Sequence, residues 1–336
     1  MERFYSFIIP VYNRPEEIGE LLHSMLQLDF DPPFEVVIVE DGSKQTSEEV
    51  VKRFSKNLEI SYFKKQNTGP GASRNYGMER AKGDYYIILD SDVLLPANYL
   101  KEVDRSLQDE FIPCFGGPDA AHRDFTEVQK AINYAMTSLF TTGGIRGNKN
   151  MKGKFQPRSF NMGLSKEAFK RSGGFGNIHP GEDPDLALRL QKMKLETKLF
   201  PRVVVFHKRR IDFKKFYRQV YKFGLVRPIL TKWHPQSAKI TYWFPTFFCF
   251  GLLFSLVSVF FGINFPAVIF LLYFLLIFMH AAFLNRSLKV GFYSLFAGLV
   301  QFMGYGFGFC HATYYIRFLK AEPKTKFPKL FFKNGK

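Results

Sequence analysis

Cysteine, tryptophan and acidic side chains are scarce in this chain of 336 residues. The three cysteines, Cys114, Cys249 and Cys310, have no metal-ligand spacing, and the last two sit inside apolar runs. An odd, scattered set excludes a disulfide framework and fits a reducing compartment for the soluble part. The start, Phe4 to Val11, is too short for a signal-peptide core and runs into Asn13, Arg14 and Pro15 rather than a cleavage site. Acids number 30 against 47 Lys and Arg, a formal charge of +17. Such an excess suits nucleic acid, an anionic membrane surface or phosphorylated ligands. No recognised nucleic-acid reader motif is present, so nucleic acid is not the expected partner.

Long apolar runs are missing up to about Lys239, and from Ile240 to Leu319 they dominate. The basic residues sit at the flanks of this region. Arg202, Lys208, Arg209, Arg210, Lys214, Lys215, Arg218, Lys222, Arg227, Lys232 and Lys239 precede it, with Asp212 the only acid among them, and Lys320, Lys324, Lys326, Lys329, Lys333 and Lys336 follow. Positive flanks around apolar spans are the pattern of cytoplasmic membrane borders and anionic lipid. Ile240 to Ile263 and Phe265 to Leu284 each approach the ~20 residues that cross a bilayer. Val290 to Leu319 is a third stretch, weakened by glycines, Gln301 and His311. Asp212 to Thr231 mixes Phe213, Phe216, Tyr217, Val220, Phe223 and Leu225 with basic residues, as an interfacial amphipathic helix does.

The first hundred residues alternate strand and helix signals. Phe4–Val11, Phe34–Val39, Leu58–Phe63 and Tyr85–Leu89 read as buried strands, and Pro15–Leu26, Ser47–Phe54 and Gly71–Lys82 as helices. This alternation predicts a mostly parallel sheet covered on both faces, with ligands at the carboxyl ends of the strands. Asn13, Asp41, Asp90 and Asp92 all fall at that edge. Further on, Glu127–Leu139, Ser165–Arg171 and Asp183–Met193 read as helices, Lys198–Phe206 as a last strand, and the glycine-bearing Thr141–Phe155 as a mobile loop.

Four constellations carry chemistry. Asp90-Ser91-Asp92 offers two hard carboxylates to a divalent cation that could neutralise a leaving diphosphate; alone it is equally a solvated turn. Glu182-Asp183 opens a helix, where acids complement the dipole or one serves as a general base. His207 follows Val203–Phe206 and reads as a metal ligand or as part of a basic surface. Asn67 to Gly77 brings glycines and Arg74 to a helix start, as a phosphate cradle or a plain turn.

In order, these pieces resemble the family 2 glycosyltransferases of the GT-A fold. The matching stretches are Phe7–Asn13, Val37–Ser43, Gly71–Gly77, Ala81–Asp84 leading into Asp90–Asp92, Phe160–Gly163 before Gly173-Gly174-Phe175, and Gly181-Glu182-Asp183. The resemblance covers roughly Phe4 to Arg210. It implies a Rossmann-like α/β catalytic domain over 1–210, followed by a basic interfacial segment (211–239), membrane helices (240–319) and a basic tail (320–336). It implies that Pro10, Tyr12 and Asp41 hold the nucleobase and ribose, with Arg74 near the nucleotide. Asp90 would contact ribose or metal, Asp92 would bind Mg²⁺ or Mn²⁺, and His207 would add a metal ligand. Asp183 would be the base of an inverting single displacement, supported by Glu182.

Two departures matter. Glu40 stands where the family usually has Asp, while Asp41 is retained. The Gln-x-x-Arg-Trp element of processive synthases is missing, since the corresponding region reads Arg218-Gln219-Val220-Tyr221-Lys222-Phe223-Gly224. The expectation is one sugar moved from a nucleotide-sugar donor to a membrane-associated, polyprenyl-linked or other lipid-linked acceptor in surface polysaccharide or glycolipid assembly. A processive synthase and a non-catalytic membrane scaffold are the alternatives. Nucleotide sugars are cytoplasmic, so the catalytic domain should face the cytoplasm from the inner membrane. Three spans would then leave the basic tail outside, against the positive-inside tendency.

Overall fold

The computed structural model describes residues 3–121, 125–143, 155–207 and 212–332. Most of the glycine-bearing loop 141–155 lies outside the described residues, as do Lys208, Arg209, Arg210, Lys333 and Lys336. The chain forms two compact units. The first comprises Met1–His122, Lys149–Lys208 and Phe331–Lys336; the second comprises Arg123–Asn148 and Arg209–Leu330.

The first unit opens with β1 (Tyr5–Val11), α1 (Pro15–Met25), β2 (Phe34–Asp41), α2 (Glu48–Phe54), β3 (Glu59–Lys65), α3 (Pro70–Arg80), β4 (Tyr85–Leu89), β5 (Val93–Leu94), α4 (Tyr99–Asp109), β6 (Cys114–Gly116) and β7 (Asp119–Ala121). The chain lends α5 (Glu127–Thr137) and α6 (Leu139–Thr142) to the second unit, then returns for β8 (Asn161–Ser165), α7 (Lys166–Ser172), α8 (Glu182–Lys192), β9 (Thr197–Leu199) and β10 (Val205–His207). Seven strands form one sheet in the order β3-β2-β1-β4-β8-β6-β9. β1, β2, β3 and β4 are parallel, and β8 runs antiparallel between β4 and β6. The parallel strands are continuous apolar runs because both faces are covered. Phe7, Ile9, Val36, Ile38 and Ile87 pack toward α1 and α4, whereas Ile8, Val37, Val39, Tyr86 and Ile88 pack with Met78 of α3 and Leu186 and Leu190 of α8.

The predicted strand Lys198–Phe206 is two strands. Phe200 ends β9 by bonding to the Gly116 carbonyl, a turn follows at Pro201-Arg202, and β10 then joins a second sheet of order β5-β10-β7. Proline cannot donate to a ladder, and the break moves the chain from one sheet to the other. β8 and the short strands β5, β6 and β7 were too brief and too weakly patterned to read as strands.

The second unit holds α9 (Phe213–Trp233), α10 (Phe244–Phe260), α11 (Phe265–Asn285) and α12 (Leu288–Thr313, continued as one wide turn to Phe318). Ile240–Phe260, Phe265–Asn285 and Leu288–Phe318 are long and apolar enough to cross a membrane. α9 is amphipathic as expected: Phe216, Val220, Leu225 and Ile229 are buried, while Lys214, Lys215, Arg218, Lys222 and Lys232 are exposed. It meets α12 at backbone distance. A Cβ on Gly308 would lie 2.2 Å from the Tyr221 carbonyl oxygen, and one on Gly224 2.3 Å from that of Tyr305.

α3 sits equally close to the sheet, where a Cβ on Gly77 would meet Ile8 Cγ2 at 2.9 Å and Val39 Cγ2 at 3.2 Å. Gly77→Ala is therefore expected to destabilise the first unit by about 1–3 kcal/mol, because the contact is sheet interior and cannot swing away. Thermal unfolding of the detergent-solubilised chain measures it, and an unchanged midpoint would contradict the packing.

Candidate active site

The carboxyl ends of β1, β2 and β4 bring the predicted residues to one edge. Asn13 follows β1 with φ +53°, a conformation asparagine tolerates better than most residues. There its side-chain oxygen accepts the Lys44 and Gln45 N–H groups at 2.8 and 3.1 Å, and its own N–H donates to Ser43 Oγ. Glu40 completes this corner: its carboxylate accepts from the Ser43 hydroxyl, the Ser47 N–H at 2.8 Å and the Tyr62 hydroxyl at 2.8 Å. The Glu in place of Asp thus reaches across the turn to brace it, a role that was invisible in the sequence. Pro10 lies in β1 and Tyr12 just beyond it, half exposed.

Asp41 is buried and accepts the Thr68 and Gly69 N–H groups, each at 2.9 Å, and the Lys65 ammonium. It therefore fixes the loop ahead of α3. Gly69, at φ +93°, begins that helix, and its α-carbon lies directly under the Phe332 ring. Phe332 is held there by a paired bond with Asn177, whose amide donates to the Phe332 carbonyl and whose side-chain oxygen accepts the Phe332 N–H.

Arg74, in α3, is buried and is the centre of the site. Its guanidinium donates to Asp90 Oδ1 at 2.8 Å and to Glu182 Oε1 at 3.4 Å, and it lies 5.3 Å from the Phe175 ring centroid. It joins the end of β4 to the head of α8. Asp92 pairs separately with Arg14 at 2.6 Å. β10 runs antiparallel to β5 with His207 opposite Val93, which puts its backbone across from the residue after Asp92. The His207 side chain is outside the described atoms. Among the described residues no group of three or more His, Cys, Asp or Glu is gathered closely enough to hold a metal. Asp90 and Asp92 still offer hard oxygen donors of the kind a Mg²⁺ or Mn²⁺ ion takes, each held by an arginine that a diphosphate can recruit.

The two acids of α8 behave oppositely. Burial works against the charged form of Glu182, yet the hydrogen bond and charge of His179 at 2.8 Å, then Arg74, hold its pKa down at about 2. Burial also acts on Asp183, and there the adjacent Glu182 carboxylate adds to it, so its pKa is raised although Arg74, Arg158 and the Ser159 N–H oppose. Asp183 Oδ2 accepts that N–H at 3.1 Å, while the buried Oδ1 has no hydrogen-bond partner among the described residues. Asp185 pairs with Arg189, which donates to the Gly174 carbonyl at 2.6 Å and pins the turn before α8.

Residues 6–173 match the family model "Glycosyl transferase family 2". The chain belongs to glycosyl transferase family 2. Its fold is GT-A. An uncharacterised glycosyltransferase of Rickettsia bellii is 40% identical over 96 residues, which is 29% of this chain and 14% of the relative. The poly(ribitol-phosphate) β-N-acetylglucosaminyltransferase TarS of Staphylococcus aureus is 35% identical over 101 residues, 29% and 18% of the two chains. The chondroitin synthase of Pasteurella multocida is 34% identical over 117 residues, 33% and 12%. The chain thus spans under a fifth of the length of these relatives. A mannosyltransferase from Pyrobaculum calidifontis, solved with GDP-Man and Mn²⁺, superposes with a TM-score of 0.55 at 16% identity, over 71% of this chain and 66% of that one. S. aureus TarS superposes at 0.51 and 17% identity, over 72% and 45%.

Arg14, Arg158, Ser159 and His179 were not read as site residues. The one available signal was His179, three places before Glu182 and so close to it in the chain. The opposite shifts of the α8 acids predict opposite stability effects. A depressed folded pKa contributes stability above the unfolded value that is lost as pH falls, whereas a raised one disfavours the ionised form at neutral pH. Glu182→Gln should therefore cost on the order of 2 kcal/mol at pH 7, with the deficit closing on acidification below pH ~4. Asp183→Asn should be at least as stable as the parent at pH 7. Melting curves between pH 3 and 7 test both, and equal losses for the two variants would refute the assignment.

Proposed function

We propose that this family 2 enzyme is a membrane-anchored, inverting transferase. It moves a single sugar from a nucleotide-sugar donor to a membrane-associated, lipid-linked acceptor, and its catalytic unit faces the cytoplasm. The observation that carries the mechanism is Asp183: a half-buried residue at the head of α8, with raised proton affinity and a buried Oδ1 that has no hydrogen-bond partner among the described residues. A general base needs proton affinity above that of an ordinary carboxylate and an unoccupied lone pair. In the proposed reaction the acceptor hydroxyl gives its proton to Asp183 as its oxygen bonds to the anomeric carbon. The bond from that carbon to the diphosphate breaks in the same displacement, and the nucleoside diphosphate leaves. Glu182 stays ionised and, through Arg74, keeps Asp90 in place. Pro10, Tyr12 and Asp41 would take the base and ribose, Asp41 by shaping the Thr68-Gly69 loop.

Asp92, Asp90 and His207 would hold Mg²⁺ or Mn²⁺, whose charge would offset that of the leaving diphosphate. The Mn²⁺ and GDP-Man in the P. calidifontis structure support a metal and a nucleotide-sugar donor. The absence of an Arg-Trp pair after α8 supports single addition over polymerisation.

Asp183→Asn should lower turnover by at least ~10²-fold while nucleoside diphosphate binding survives. Asp92→Ala should abolish the Mn²⁺ dependence of nucleotide binding in calorimetry. Arg158 opposes the raised pKa of Asp183, so Arg158→Met should move the acid limb of kcat/KM to higher pH. An unchanged limb, or full activity in Asp183→Asn, would remove Asp183 from the mechanism. Long polymer from the purified enzyme would point to a processive synthase.

A further inference from the structure

We infer that the membrane region enters and leaves the bilayer an even number of times: α10 and α11 form an in-and-out hairpin, and α12 lies in the membrane interface across its open end. This rests on the membrane-anchored reading above.

The first argument is parity. The chain leaves the first unit after Lys208 and re-enters it at Phe331, which pairs with Ile178 in an antiparallel bridge. One folded body lies on one side of a bilayer, so exit and re-entry share that side. Neither connecting passage can cross. Residues 209–239 carry eight or more basic side chains on the way to Ile240, among them Lys214, Lys215, Arg218 and Lys222, and Lys320, Glu322, Lys324, Lys326 and Lys329 fill the return. Three crossings are therefore excluded, although three helices are long and apolar enough.

The second argument identifies which helix does not cross. A third span laid beside the hairpin would bring the later turns of α12 level with its tip, at Phe260–Phe265. They meet its open end instead. Gly291 is against Phe278 and Ala282 near the end of α11, and Gly298 faces Ile277. Phe302 then stacks on Phe248 at 4.1 Å, Gly306 abuts Pro245 and Thr246, and Phe309 meets Trp243 at 4.9 Å, all at the start of α10. The ~22 Å of helix from Gly291 to Gly306 is thus spent passing from one leg to the other.

Charge agrees. α9 packs along α12 through Val220 at Gly304 and Tyr221 at Gly308, and its exposed face carries Lys214, Lys215, Arg218 and Lys222. A transbilayer α12 would draw these into hydrocarbon at about 3 kcal/mol each. The legs themselves have no Asp, Glu, Lys or Arg between Lys239 and Arg286. Only 22% and 11% of their apolar windows are buried inside the protein, against 44% for α12. The hairpin is clothed by lipid, and α12 by lipid on one side and protein on the other.

The test uses the full chain in membrane vesicles, with Cys114, Cys249 and Cys310 replaced by serine and single cysteines introduced as Lys52→Cys, Lys289→Cys and Lys324→Cys. A membrane-impermeant maleimide should modify all three from the same side. Modification of Lys324→Cys only from the side opposite Lys289→Cys would overturn the inference. Should the cysteine-free chain fail to fold, reporters fused after Lys336 of the parent chain replace it. Fluorescent-protein signal with silent phosphatase supports the inference, and the reverse refutes it. Carbonate extraction separates the two levels: release of the parent chain from the vesicles would defeat membrane anchoring itself, whereas retention with opposite-side labelling defeats only the topology.

Discussion

One buried guanidinium organises the catalytic unit. Arg74 comes from α3, but its partners come from the end of β4 and the start of α8, more than ninety residues apart in sequence. An arginine so placed has given up its hydration and must be repaid by carboxylates, and removing either one leaves the rest of the cluster with unbalanced charge. That constraint reaches outward. Glu182 is kept ionised by Arg74 and His179, and its charge in turn raises the proton affinity of Asp183. Two acids adjacent in sequence thereby acquire different characters, one a fixed countercharge and one able to take a proton.

Much of this was legible in the residues. The runs Phe7–Val11, Val36–Val39 and Tyr85–Leu89 are apolar on both faces, which only a covered parallel sheet requires, and the edge holding Asp41 and Asp90 follows from their ends. What escaped were contacts set by distant partners. Glu40 looked like a near-neutral exchange for Asp, yet its extra methylene lets it brace Ser43, Ser47 and Tyr62 together. Arg14 was noted only as following the first strand, and its pairing with Asp92 depends on a register between β1 and β4 that no local pattern encodes. The strand through Pro201 was read as continuous because apolar residues lie on both sides of the break.

The second unit is built on the opposite economy of charge. Its glycines, at 224, 304 and 308, let α9 and α12 approach until backbone meets backbone, a contact that works equally well against lipid or protein because it needs no hydrophobic driving force. Apolarity and length alone described α12 as a span. Its glycine-rich face and its basic neighbour α9 fit the inferred place across the open end of the α10–α11 hairpin.

The bridge between Ile178 and Phe331 also has a consequence for biosynthesis. A polypeptide emerges from its N-terminus and its domains tend to fold in that order. Here the ring that covers Gly69 belongs to Phe332, so the loop ahead of α3 receives its last contact only after the whole apolar region has been made. Completion of the loop ahead of α3 is thereby coupled in time to synthesis of the apolar helices.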